Sequence, residues 1–360
     1  MKRILILLLA VLTLCPACNR EEKKVALDNS LRLLVNFNGK YGYCDRGGTL
    51  VILPSFSSAS IFSEGLATVR VNDKDGYVDA NGNMTIPASF EKASIFLNGR
   101  AAVRKGDKWG YIDQTGKNVT EYEYISTFGF TEGLAAVVVA KGNGVKAGFI
   151  DEHGKFAIKP QFDDASHFSE GLAAVKIGAK HGYIDKSGKV VIPEQFFEAA
   201  MFREGLAMVK INGKFGLVGF IDHTGKMVIP AQYSVATNFN DGVAAVKKKD
   251  TWQLIDKTGK PIIDQEFPSP TIFTEGLAPM LVKGRVGYMD KQGKMAIKPQ
   301  FDAGSIFVSG LAPVKIGEKC GYIDKTGKMV IEPRFEWDQR AIDQYTHFNT
   351  HFSTDSPKGK

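Results

Sequence analysis

The sequence predicts an all-β protein: tandem three-stranded antiparallel meanders stacked one on the next as an open β-solenoid or superhelix. Three observations carry this expectation. An Asp recurs nine times (Asp45, Asp79, Asp113, Asp151, Asp185, Asp222, Asp256, Asp290 and Asp324), each followed three residues later by a Gly and eleven residues later by an aromatic ring. The intervals are 34, 34, 38, 34, 37, 34, 34 and 34 residues, and a fixed period of that size marks a repeat architecture. Between the marks, apolar residues alternate with the period of two that belongs to half-buried strands.

Residues 171–205 show one unit. The first strand places Ala173, Val175 and Ile177 on one face and Leu172, Ala174 and Lys176 on the other. A short turn leads to His181-Gly182-Tyr183-Ile184-Asp185; in the next unit the matching turn is Asn212-Gly213, a strong hairpin signal because both places need positive φ. Asp185-Lys186-Ser187-Gly188 is a second turn, opened by an Asp that bonds backbone two residues on and closed by a Gly that accepts αL. The third strand, Val190-Val191-Ile192, ends at Pro193, which has no donor to continue a ladder. A loop follows.

That loop carries two aromatic series. One stands eleven residues after each Asp: Phe56, Phe90, Tyr124, Phe162, Phe196, Tyr233, Phe267, Phe301 and Phe335. The other is Phe62, Phe96, Phe130, Phe168, Phe202, Phe239, Phe273 and Phe307. Both read as pegs between neighbouring units, because one unit alone buries too little apolar surface to offset the entropy of ordering its chain.

The unit from Phe168 to Phe196, Phe-Ser-Glu-Gly-Leu-Ala-Ala-Val, then Gly-Tyr-Ile-Asp-Lys-Ser-Gly-Lys-Val-Val-Ile-Pro, resembles the WG (KWG) β-repeat of bacterial proteins. The resemblance covers residues 30–337, although the Trp-Gly pair itself survives only at Trp109-Gly110. Such an array either stacks as an open superhelix or closes as a propeller-like ring. Three strands per unit, nine units and unequal intervals favour the open form, since propellers usually have four strands per blade and four to eight blades.

The first residues read as targeting. Lys2 and Arg3 precede an apolar run from Ile4 to Leu14, too short to span a bilayer, and then Cys15-Pro16-Ala17-Cys18. This stretch resembles a bacterial lipoprotein signal, which implies removal of residues 1–17 and lipid attachment at Cys18; processing at Cys15 is the alternative. Residues 18–29 are then anchor and tether, 30–337 the nine repeats, and 338–360 a polar tail. Losing Lys2 and Arg3 lowers the formal charge from +7 to +5, too weakly basic to indicate a nucleic-acid partner. Cys44 and Cys320 fall on strand positions of opposite parity and read as buried small hydrophobes.

Candidate chemistry is sparse. No nucleophile elbow, phosphate loop or dinucleotide fingerprint occurs. The nine Asp residues offer one carboxylate per turn, whereas calcium takes six to eight oxygens, so they read as turn formers. His347 and His351 have a chelating interval but fall in the expected tail. No cofactor, metal or catalytic residue is implied. Two series suggest binding. Lys117, Lys155, Lys189, Lys226, Lys260, Lys294 and Lys328 follow the turn Gly and form a basic stripe suited to an anionic envelope polymer or an acidic protein. A tyrosine ladder that includes Tyr111 and Tyr183 either stacks on sugars or peptides or packs in the core. The expectation is a non-catalytic scaffold, lipid-anchored in the cell envelope on its periplasmic or outer-membrane face. The alternatives are a glycan-acting enzyme framed on the array and a spacer without a ligand.

Overall fold

The computed structural model describes residues 31–213 and 216–350, with side chains to residue 344. The leader, Cys15, Cys18 and the last ten residues lie outside the described residues, as do the side chains of His347 and His351.

Residues 164–196 form one sheet. Asp164–Ala165, Leu172–Ile177, Lys180–Asp185 and Val190–Phe196 pair in chain order, each antiparallel to the next. His181 pairs with Phe196 and Tyr183 with Ile192, so two steps along one strand match four along its neighbour. The extra length arches over Gly182, where a Cβ would lie 2.5 Å from the Ile192 carbonyl oxygen; only glycine admits that approach. Pro193 sits in the arch, where no ladder donor is needed.

The loop expected after the third strand is therefore a fourth strand, given to the next unit. Asp163 N–H bonds Lys176 O, and Asp164 and Ala165 pair with Lys176 and Val175. The same crossing recurs at most junctions; four of the nine sheets have three strands, and two of those gaps have local causes. Pro268 and Pro270 stand where the eighth unit needs donors, and no first strand forms there. In the third unit Thr120 takes the place of the usual Ile, and its hydroxyl accepts the Tyr111 N–H that otherwise belongs to the ladder.

The described residues hold nine such sheets, and the ends meet. Each turn Gly lies against a side chain of the preceding unit: a Cβ on Gly188 would meet Ile158 at 3.1 Å, and one on Gly225 would meet Ile192 at 2.8 Å. The first unit follows the same rule, because a Cβ on Gly48 would meet Ile331 of the ninth at 2.8 Å. Arg46 bonds Ser309 O at 2.7 Å, Arg334 bonds Gly48 O, and Glu336 accepts the Asn38 N–H at 3.0 Å. The open superhelix is thus overturned in favour of the closed ring, a nine-bladed β-propeller. A blade gains its fourth strand from its neighbour, so counting strands within one repeat undercounts the blade.

The polar tail expected at 338–360 begins instead with helix α1, Gln339–Thr350. Asp338 accepts the Tyr41 hydroxyl at 2.5 Å and the Asn36 amide at 2.8 Å, Ala341 is buried beside Leu34 and Tyr43, and Gln344 bonds both Ile61 N and Ala59 O. The chain after Phe335 thus packs on the first blade through these side chains, without adding a strand to its three-stranded sheet, and turns helical. Among the described residues no helix is long and apolar enough to cross a membrane.

The apolar core is divided into nine clusters, and each joins two successive blades. Phe149, Ile158 and Phe162 of the fourth blade meet Phe168, Val175 and Ile184 of the fifth; Ile331 and Phe335 of the ninth meet Leu33, Val35 and Cys44 of the first. Cys44 and Cys320 are buried on opposite sides of that last junction.

Closure through the C-terminal segment makes a direct prediction. Asp338→Ala strands the Tyr41 hydroxyl and the Asn36 amide, at a cost of about 1–3 kcal/mol. The denaturant midpoint of the variant should fall accordingly, whereas exposed Arg340→Ala should stay within about 0.5 kcal/mol of the parent.

Candidate functional site

The seven turn lysines are where the repeat puts them. Lys117, Lys155, Lys189, Lys226, Lys260, Lys294 and Lys328 are all exposed on the face that carries the Asp turns; five stand one residue before the outermost strand of their blades, and Lys117 and Lys260 fall in the two blades where that strand does not form. None forms an ion pair with another described residue. Each backbone is held by its turn: Lys189 N–H donates to Asp185 Oδ1 at 3.1 Å, and Asp185 N–H to Lys189 O at 2.9 Å. The turns therefore fix the points from which the flexible lysine side chains extend.

The tyrosine ladder is elsewhere. Tyr111 is 1% exposed and Tyr183 fully buried, which leaves no ring face for a sugar or peptide to stack on. Tyr183 donates its hydroxyl to Ala200 O at 2.7 Å and packs its ring 5.0 Å from Phe202, both in the next blade. Tyr77 and Tyr288 do the same with Ser94 O and Ser305 O. A buried hydroxyl needs a partner, and these find one across the junction. Burial raises the Tyr183 and Tyr111 hydroxyl pKa values far above the ordinary range. Both residues belong to the blade joints, which corrects their reading as binding residues.

One functional series was missed by sequence reasoning. The Glu of each Glu-Gly-Leu sits in a two-residue turn with positive φ at both places, as at Glu170 (53°) and Gly171 (83°). Asn-Gly is the usual occupant of such a turn, since Glu has no local bond to offset the left-handed backbone. Recurrence of Glu at a place that disfavours it was the available signal. Its carboxylate reaches the next blade and accepts the N–H of the following turn Gly: Gly99 to Glu64 at 2.8 Å, Gly205 to Glu170 at 3.0 Å, Gly242 to Glu204 at 2.9 Å and Gly276 to Asp241 at 2.6 Å. The residue after the Asp of that next blade meets the same carboxylate: Lys186 pairs with Glu132 at 3.0 Å, Lys257 with Glu204 at 3.3 Å and Lys291 with Asp241 at 2.8 Å, and His223 Nε2 lies 3.1 Å from Glu170. The result is a belt of carboxylates running turn to turn on the same face as the lysines.

The Asp turns have their own electrostatics. Asp185 Oδ1 accepts the Ser187 hydroxyl at 2.6 Å and the Ser187 and Lys189 amides, and the side-chain hydrogen bond is the largest cause holding its carboxyl below the ordinary Asp value. Asp113, Asp222, Asp256 and Asp324 are lowered for the same reason, through Thr hydroxyls. No group of three or more His, Cys, Asp or Glu gathers among the described residues.

Nine small antiparallel sheets, joined through buried rings and a carboxylate belt, define a β-propeller built from one repeating unit. The WG containing repeat family matches residues 41–74, 76–109, 109–141, 148–180, 182–215, 219–252, 287–320 and 321–337, well over half of the chain, and the chain belongs to that family. The unmatched stretch between 252 and 287 includes Pro268 and Pro270 and the irregular outer edge of the seventh blade. No curated protein matches the chain significantly. Among solved structures, the chain is similar to dihydro-heme d1 dehydrogenase NirN (14% identity, 77% of this chain and 74% of that one, TM-score 0.46). It is also similar to AztD of Citrobacter koseri (12%, 75% and 92%, TM-score 0.41) and to Hsv2p of Kluyveromyces lactis (10%, 65% and 92%, TM-score 0.38). Likeness at that level is no guide to what this chain binds.

Two outcomes test the belt and the turns. Glu170→Ala should lower stability by about 1–2 kcal/mol, because the Gly205 amide loses a charged acceptor, while Lys257→Ala should cost no more than about 1 kcal/mol. The Asp carboxyls are depressed in the folded state, so their stabilisation is complete above the ordinary Asp range and lost as pH falls below about 4. Melting temperature followed from pH 6 to pH 2.5 should therefore drop steeply below about 4.

Proposed function

We propose that this chain is an exported, lipid-anchored WG-repeat propeller that serves as a non-catalytic binding scaffold for a protein or an anionic envelope polymer. The reading rests most on the seven exposed lysines. A rigid ring sets them at one register, one per blade in seven of nine blades, with no ion pair among the described residues to neutralise them. A polyanion lying along that rim meets several ammonium groups at once, and the strength of such contact grows with the number engaged. The recurrent Tyr, Asp and Glu groups are consumed in holding blades and turns together, which supports scaffolding over chemistry.

The anchor is proposed from the sequence alone: the basic n-region, the largely apolar run from Ile4 to Leu14 and the small Ala17 before Cys18. Attachment through Cys18 would place the ring within a twelve-residue tether of the membrane, a reach of about 40 Å when fully extended.

Replacing Lys189, Lys226 and Lys260 together by Ser should weaken binding to a polyphosphate or teichoic-acid probe at least tenfold, leave the melting curve unchanged and flatten the salt dependence. Equal binding by parent and variant would remove the lysine rim from the proposal. Mass measurement of the mature N-terminus in a lipidating bacterial host should find diacylated or triacylated Cys18; an unmodified terminus would remove the anchor.

A further inference from the structure

We infer that the ring holds a second site, of opposite charge preference, that takes a primary ammonium group beside Glu275. The argument begins with a break in the carboxylate belt. Glu132, Glu204 and Asp241 each hold one turn amide and one Lys, Glu170 holds His223 and Glu64 the Gln114 amide, the second partner coming in every case from the residue after the Asp of the next blade. Glu275 holds its amide, Gly310 N–H at 3.1 Å, but Lys325, the residue that answers to it by repeat position, makes no ion pair with it. Glu275 is exposed, and the belt ends beside it, because Ser309 stands where the next acid belongs.

At this break the surface opens. A cavity of about 430 Å³ lies between the seventh, eighth and ninth turns, lined by Asn240, Asp241, Thr274, Glu275, Ser309 and the edge of Phe307. Its only charged lining residues are the two acids, and Asp241 is already engaged by Lys291. Thr274 supplies an independent sign. It is 7% exposed, it lines the opening, and its hydroxyl oxygen has no hydrogen-bond partner. At the same place in other blades Ser63 and Ser169 donate to the Phe carbonyl of the next blade. Thr131 also leaves its hydroxyl unpartnered, but there Lys186 occupies the neighbouring carboxylate.

The opening thus offers a carboxylate without an ion-pair partner, the unpartnered Thr274 hydroxyl, and room for a short alkyl stem. An ammonium group fills those terms with three N–H donors, whereas a neutral polyol leaves the Glu275 charge unanswered. The group could arrive on a free polyamine or on a lysine side chain of a partner protein, and the two are separable by experiment. The site is independent of the lysine rim and of the sign of charge proposed there, so either reading can fail alone.

The test titrates the mature chain with spermidine, with a tetralysine peptide and with glucose by calorimetry in low salt. Saturable binding of an amine at one site per chain is expected, weakened at least fivefold by Glu275→Gln and at least twofold by Thr274→Val. Glu64→Gln, the same belt position with its donors in place, should leave it unchanged, as should the triple lysine variant of the rim. Binding of spermidine but not the peptide would assign a free amine, and the reverse a partner side chain. Glucose binding as tight as the amines, equal affinity in parent and Glu275→Gln, or equal weakening by Glu64→Gln would each overturn the proposal. Gln retains an acceptor for Gly310 N–H, and Thr274→Val gives a second readout should Glu275→Gln fold poorly.

Discussion

Every other feature of this protein depends on one constraint: apolar burial happens between blades and not within them. The nine clusters straddle the nine junctions, and the packing rule is repeated at each, with a branched side chain of one blade filling the space that a Cβ would take on the turn Gly of the next. A blade removed from its neighbours loses both faces of its core. Stability is therefore a property of the chain of interfaces, and a ring satisfies it better than a rod, since no interface is left open at the ends.

Polar groups reinforce the same joints. The tyrosine hydroxyls reach seventeen residues ahead to a carbonyl of the next blade, and the belt carboxylates reach to the next turn amide. Each is a charged or buried hydrogen bond that would be costly to leave half-made. The ninth junction uses the apolar part of this scheme and substitutes for the rest. Arg46 bonds the Ser309 carbonyl where a carboxylate would reach on, and Asp338 ties Tyr41 and Asn36 to the C-terminal segment. Closure is thus achieved with different residues but through the same surfaces.

This division of labour explains which residues remain for binding. Groups repeated in every blade for assembly are buried or mutually engaged. The turn lysines are repeated but engaged only through their backbones, and Glu275 and Thr274 are exceptions at a place where the repeat lapses. The two proposed sites thus share one face of the ring and differ in origin, one set by regularity and one by its interruption.

The unit length, the alternating strands, the Asp-x-x-Gly turns and the ring positions were all legible in the sequence, because each is a local consequence of residue type and period. Membership of the WG repeats was legible for the same reason. The exposure of the lysines needed only the turn that precedes them. Closure was not legible: Gly48 and Ile331 are far apart in the chain, and nothing local says whether the small rotation between blades sums to a full turn. The fourth strand was hidden because its few residues pair with the following unit; core packing of Tyr111 and Tyr183 was one of two open readings, and the structure decided it because strand parity fixes a face without saying what covers it. The carboxylate belt needed the ring as well, since an acid in a strained turn acquires its meaning only from the amide that the neighbouring blade presents.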